Sequence, residues 1–391
     1  MDSTDPQSSN AIAADLRSGK ALIPEQTSNP DPIKVHAGRG AVSNPQGRFA
    51  STRVEPIDDG WNLPPDPVSA PLTEVRPERA RTIITRNESP DIPFDRSINP
   101  YRGCEHGCIY CYARPAHAYV DLSPGLDFET RILFKADAEQ LLAKELSHPS
   151  YSAAPIALGT NTDPYQPVER RLRLTRQLLE LLSAHDHPVT LTTKGIGILD
   201  DLELLTDMAR RRLVSVAISV TTLDDKLKRI LEPRTPSGQA RLRIVRALRD
   251  AGVPVGVMTA PIIPAINDSE IESILAAAAD AGAERANWIL LRLPNEVGPL
   301  FSAWLRAHFP DRAEHVLSLV RQSRGGRLND PRFRSRMSGA GPWAEMIEQR
   351  FRIALRRNGL AATSPRLDTT AFHAPPPVRP PPADTDQLAL F

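Results

Sequence analysis

Between about Phe94 and residue 293 the chain alternates short β-branched runs with amphipathic stretches, and nothing else in the sequence restricts the fold as much. The runs are RSINPY (96–101), PIALGT (155–160), PVTLTT (188–193), VSVAISV (214–220), VPVGVMTA (253–260) and NWILLRL (287–293). Helical periods fill the gaps at 137–146, 168–185, 201–212, 237–252 and 269–282. Runs with almost no polar alternation belong to strands covered on both faces. Six of them interleaved with helices predict βα units and a parallel sheet, an α/β fold. The pattern alone leaves an open doubly wound sheet and a barrel both available.

The flanks read differently. Residues 1–90 are rich in Pro, Ser, Asp and Asn without a sustained period, and are expected to be mostly disordered. Within them GRGAVSNPQGRF (38–49) reads either as a strap laid on the main domain or as more loop. A core at 91–310 is followed by a helical extension at 311–362 and a Pro-rich tether at 363–391, expected as a disordered C-terminal tail. The net charge of +1 gives no global attraction to nucleic acid but allows a local basic patch. No apolar run reaches the ~18 residues of a membrane span, and the N-terminus lacks a signal-peptide pattern, so a cytoplasmic location is expected.

All three cysteines of the chain, Cys104, Cys108 and Cys111, fall in INPYRGCEHGCIYCYARP (98–115), just after the first core strand. An odd, tightly clustered set is no disulfide framework and points to a metal or redox site. Gly103 and Gly107 let the loop turn tightly enough for the thiolates to converge. Clusters ordinarily take four thiolates, so three leave one iron open for a substrate or cofactor. The competing reading is structural zinc completed by His106 or His117, although the second paired half of such sites is missing.

C-x3-C-x2-C with an aromatic, Tyr110, before the last cysteine resembles the signature of the radical S-adenosylmethionine (SAM) superfamily. That resemblance implies a partial (β/α)6 TIM-type barrel. It also implies a [4Fe–4S] cluster on the three cysteines, with S-adenosyl-L-methionine chelated at the fourth iron. One electron would then cleave the cofactor to a 5′-deoxyadenosyl radical that abstracts hydrogen, so a flavodoxin- or ferredoxin-like donor is implied as well. Tyr110 is expected near the adenine. Functional residues of βα barrels gather at strand ends. Thr160, Thr162 and Asp163 are therefore candidates for the cofactor ammonium, where the superfamily often carries Gly-Gly-Glu, a segment absent here. Lys194 and Arg234 are candidates for its carboxylate, and Ser219 and Glu232 for its ribose. The bland alternatives are a helix N-terminus, a solvated lysine and an ordinary surface ion pair.

The segments RSINPYRGCEHGCIYCYARP, LGTNTDPYQPVER and SVTTLDDKLKRILEPR resemble the subgroup related to spore photoproduct lyase, often described as DNA repair photolyase-like. Spore photoproduct lyase uses a further cysteine as hydrogen donor; this chain has none, which leaves a tyrosine for that role. Two features bear on nucleic acid. The stretch RQSRGGRLNDPRFRSR (321–336) places Arg324, Arg327, Arg332, Arg334 and Arg336 against one aspartate, a composition suited to DNA phosphates or to a solvated loop. Gln387, Leu388, Leu390 and Phe391 resemble the peptide by which bacterial repair proteins dock on the sliding clamp. The reading is a lyase-like radical SAM enzyme acting in DNA repair or modification. The alternatives are a small-molecule or protein substrate, or a non-catalytic, zinc-stabilised clamp adaptor.

Overall fold

The computed structural model describes residues 34–50 and 71–376. Its strands are β1 (Glu74–Glu78), β2 (Ile84–Arg86), β3 (Arg96–Ile98), β4 (Tyr101–Arg102), β5 (Arg131–Lys135), β6 (Ile156–Leu158), β7 (Val189–Thr193), β8 (Val214–Ser219), β9 (Val255–Ile262) and β10 (Arg285–Leu290). The main sheet runs β10-β9-β8-β7-β6-β3-β2. Its six strands from β3 to β10 are parallel, and β2 is added antiparallel at the β3 edge. Six parallel strands in chain order, each followed by a helical connection, make a partial (β/α)6 barrel, and the choice that pattern left open falls to the barrel. All six expected strands are present. A small sheet, β1-β5-β4, stands beside it.

The helices include α1 (Asp127–Thr130), α2 (Ala138–Leu146), α3 (Glu169–Leu172), α4 (Leu174–Ala184), α5 (Leu202–Arg210), α6 (Asp225–Leu231), α7 (Gly238–Asp250) and α8 (Ile271–Asp280). The expected single helix at 168–185 is broken between α3 and α4 at Arg173, whose φ of 52° lies in the left-handed region. Four more helices follow: α9 (Val297–His308), α10 (Ala313–Gln322), α11 (Ser335–Ser338) and α12 (Pro342–Arg357). The barrel core packs Val189, Leu191, Val214, Val216, Ile218, Val255 and Val257 against the inner faces of α4, α7 and α8. A second core joins Ile109 and Tyr110 of the cysteine loop to Leu231, Phe301 and Trp304. Each fully buried side chain of this size contributes about 1.5–3 kcal/mol, so the loop is seated by packing as well as by hydrogen bonds.

Both flanks depart from expectation in part. Residues 74–78 and 84–86 of the N-terminal extension are strands. The segment 38–49 is a strap: Ala41 and Val42 are buried in the second core. Residues 363–376, expected as part of the tether, lie on the barrel. The Asp368 N–H donates to the Arg212 carbonyl at 3.0 Å, and Phe372 packs on Tyr151 and His187. Three aromatic and imidazole rings packed together offset the entropy of ordering this short stretch. Residues 387–391 lie outside the described residues. No helix among the described residues is long and apolar enough to cross a membrane.

Candidate active site

The cysteine loop is held from three directions. The Cys104 N–H donates to the Phe128 carbonyl at 2.9 Å, the Glu105 N–H to Gln166 Oε1 at 2.9 Å, and the Ile109 N–H to the Leu231 carbonyl at 3.2 Å. Arg114, just past the last cysteine, turns its guanidinium back under the loop. It donates to the carbonyls of Cys108 (3.0 Å) and Gly107 (3.3 Å) and pairs with Glu129. Glu129 in turn accepts the N–H groups of Gly40 (3.0 Å) and Ala41 (2.8 Å), so one carboxylate ties strap, loop and α1 together. A Cβ on Gly40 would lie 1.9 Å from the Gly107 carbonyl oxygen, and one on Gly107 2.7 Å from Glu129 Oε2. Gly107 also has φ +67°, a conformation that costs other residues ~1–2 kcal/mol.

The three thiols share one environment. Burial pushes Cys104 well above the ordinary thiol value, and the neighbouring Asp163 and Cys108 add to it. Cys108 is pushed up to about 12 by burial and then by Glu232, against the pull of Lys194. Burial also raises Cys111, opposed chiefly by Arg114. A cationic iron–sulfur cluster would reverse this balance and hold all three as thiolates. The donor set therefore fits such a cluster. The zinc alternative would need an imidazole to complete its ligand set. His106 Nδ1 faces Asp163 at 3.3 Å and His117 Nε2 lies 3.0 Å from the Arg131 carbonyl, so both imidazoles have other partners.

The sequence-expected cofactor residues divide into free and committed groups. Lys194 follows β7 with its ammonium 6.0 Å from the Tyr110 ring centroid, drawn by Cys108 and Glu232, and has no hydrogen-bond partner for Nζ among the described residues. It is free to take an anion. Tyr110 is buried and donates to Glu232. Glu232 is fully buried and accepts on both oxygens: Oε1 from Tyr110 and from Thr221 Oγ1 (2.8 Å), and Oε2 from Arg241. Burial works to raise Glu232, but Arg241 and Lys194 outweigh it and hold the carboxyl at about 2. Glu232 is thus a buried anion that orients Tyr110 and offsets Lys194.

Asp163 is committed too. Its Oδ1 accepts from Thr193 Oγ1 (2.5 Å) and the Tyr165 N–H (2.9 Å), and its Oδ2 from the Lys194 N–H (2.7 Å). These donors, led by His106, overcome desolvation and hold it at about 2. It fixes the ends of β6 and β7 beside Cys104 and does not reach out as an ammonium ligand. Thr162 Oγ1 donates to the Tyr101 carbonyl at 3.2 Å, and Thr160 Oγ1 exchanges hydrogen bonds with Asn99. Ser219 is buried at the end of β8, its carbonyl accepting from Arg241 at 3.0 Å. Arg234 pairs with Glu105 at 3.2 Å and lines a cavity of about 530 Å³ with His106 and Arg170, a cavity that none of the cysteines lines.

The basic stretch is likewise mixed. Arg324 is buried and donates to four carbonyls, those of Leu290, Leu291, Ser335 and Arg336, so it is structural and not a phosphate contact. Arg336 pairs with Asp91 at 2.5 Å. Arg327, Arg332 and Arg334 are exposed, with Arg332 paired to Asp330. Residues that local pattern did not single out include Arg114, Glu129, Arg241 and Tyr112. Only spatial convergence identifies them, since Glu129 stands 15 residues from its partner and carries no motif.

The profile of the radical SAM superfamily matches residues 98–278. An uncharacterized protein of Mycobacterium tuberculosis is 39% identical over 233 residues, covering 59% of this chain and 68% of its own length. An uncharacterized protein of Methanocaldococcus jannaschii is 25% identical over 173 residues, covering 44% and 62%. Spore photoproduct lyase complexed with dinucleoside spore photoproduct superposes with a TM-score of 0.53 at 17% identity, covering 73% of this chain and 80% of that one. A variant of the same enzyme with bound AdoMet and dinucleoside spore photoproduct gives 0.51 at 16%, with the same coverage. The chain belongs to the radical SAM superfamily and is a radical SAM enzyme. It shares the fold of spore photoproduct lyase, and its own reaction is taken up below.

Proposed function

We propose that this enzyme uses a [4Fe–4S] cluster on Cys104, Cys108 and Cys111 to cleave S-adenosyl-L-methionine reductively for hydrogen abstraction on nucleic acid, in DNA repair or modification. The observation that carries the chemistry is the placing of Cys104, Cys108 and Cys111 in one braced loop beside Lys194, an ammonium without a hydrogen-bond partner among the described residues. When bound, the cluster and cofactor supply the electron and the carbon radical. The chain's own residues do the rest. Lys194 binds the cofactor carboxylate, with Tyr110 and Glu232 beneath it as a fixed dipole and counter-charge. Arg114 and Glu129 keep the loop rigid, and the second core excludes water from its inner side.

Nucleic acid as the substrate is supported by the fold shared with an enzyme whose structure holds a dinucleoside photoproduct, and by the exposed Arg327, Arg332 and Arg334. The C-terminal QLALF is read as a clamp-docking peptide, which serves an enzyme that must range along DNA. Anaerobic reconstitution with iron and sulfide, followed by EPR of the reduced protein, tests the cluster: the expected [4Fe–4S]⁺ signal changes on adding the cofactor. Zinc without such a signal refutes the reading. Pull-down of the clamp by the full chain, lost on deleting residues 387–391, tests the recruitment.

A further inference from the structure

Cys111 stands between two tyrosines, and each has a cation over its ring. Lys194 faces Tyr110, while Arg292, two residues past β10, holds its guanidinium carbon 5.6 Å from the Tyr112 ring centroid. Tyr112 donates its hydroxyl to the Thr160 carbonyl beyond β6, so it spans from the β6 side of the open barrel to the β10 side. Arg292 is half-buried and pairs with no carboxylate among the described residues. Its Nε is buried without a partner, and its Nη1 reaches only the thioether of Met337 at 3.7 Å, a weak acceptor. The carboxylate nearby, Asp91, is taken by Arg336 Nε at 2.5 Å and the Arg334 N–H at 2.6 Å. Burial and the field of Arg336 both work against the charged form of Arg292.

Magnitudes decide between a stacking role and a binding role. Stacking on a tyrosine is a weak attraction. Holding a guanidinium partly desolvated without a counter-ion costs more than that, and a second guanidinium alongside adds to it. The stacking does not offset the cost, whereas an incoming anion would. The fork of donors matches a phosphate's paired oxygens.

We propose that Arg292 is the site at which a phosphodiester group of the substrate is held beside Cys111 and Tyr112, opposite the anion site at Lys194. The substrate class rests on the nucleic-acid reading above; the presence of an anion site does not.

The test uses the full chain without cofactor and two probes, thymidylyl-thymidine and its uncharged methylphosphonate analogue, titrated by calorimetry. Wild type is expected to prefer the charged dinucleoside by about tenfold, the scale of one charge-assisted bidentate contact. Arg292→Gln loses that preference and Arg292→Lys keeps part of it, with thermal unfolding of both variants checking the fold. An unchanged preference in Arg292→Gln overturns the proposal. If neither dinucleoside binds, the nucleic-acid reading fails, and inorganic phosphate is titrated against wild type and Arg292→Gln. A phosphate-induced rise in melting temperature seen only in wild type then upholds the anion site, and equal responses overturn it.

Discussion

Arg114 and Glu129 form an ion pair at 2.5 Å in which both side chains are fully buried. Glu129 also receives two N–H groups from the strap, and Arg114 also donates to carbonyls of the cysteine loop and of Pro124 and Gly125. A buried pair adds little over an apolar pair, but removing one partner strands the other. Glu129→Ala is therefore expected to cost about 3–5 kcal/mol in urea unfolding and to reduce iron loading on reconstitution. An unfolding midpoint equal to wild type would show that the strap is not held this way.

Lys194 is the converse case, a cation in use by no protein acceptor. Lys194→Ala is expected to leave thermal stability nearly unchanged and to weaken S-adenosyl-L-methionine binding by tenfold or more, about 1.4 kcal/mol or above. Equilibrium dialysis of the reconstituted protein reads it. Undiminished affinity would remove Lys194 from the cofactor site.

Glu169 offers a pH test. Burial raises it from its ordinary 4.5 to about 7, against hydrogen bonds from Tyr101 and the Thr175 and Arg176 N–H groups. A carboxyl with a raised folded value contributes most below the unfolded value, and that contribution is lost as pH rises to about 7. His117 and His187, lowered by burial to about 4, act with the opposite sign between 6.5 and 4. The comparison must therefore be with Glu169→Gln, which is expected to gain stability relative to wild type as pH rises from 4.5 to 7. Parallel stability curves for the two proteins would contradict the shift.

Within the basic stretch the arginines should separate by role. Arg324→Ala removes donors from four carbonyls, two of them buried, and is expected to destabilise by about 2–4 kcal/mol. Arg327→Ala and Arg334→Ala should leave unfolding unchanged, lower oligonucleotide affinity and reduce the slope of log affinity against log salt by about one each. Salt slopes equal to wild type would mark these side chains as solvated surface.

The sequence alone determined the six strands, their parallel order and the three thiols, because each is written in local chemistry: β-branched runs with a period, and ligands seven residues apart from first to last. It marked the region of 38–49 and the segment after β6, but not what their side chains do there. Asp163, Glu232 and Arg234 look equally like free ligands in one dimension. Tertiary structure alone decided that Asp163 is saturated by Thr193, Lys194 and Tyr165, that Glu232 is enclosed by Tyr110 and Arg241, and that Arg234 pairs with Glu105 of the cysteine loop. Likewise Arg324, just past α10, and Arg292, just past β10, read alike as arginines beyond element ends, yet the first has four carbonyl acceptors and the second has none among the described residues. Whether a polar side chain is free to bind depends on which donors and acceptors the fold brings to it. Several of those partners, such as Thr193 for Asp163 and Tyr110 for Glu232, stand 30 and 122 residues away in the chain, where no local pattern records them.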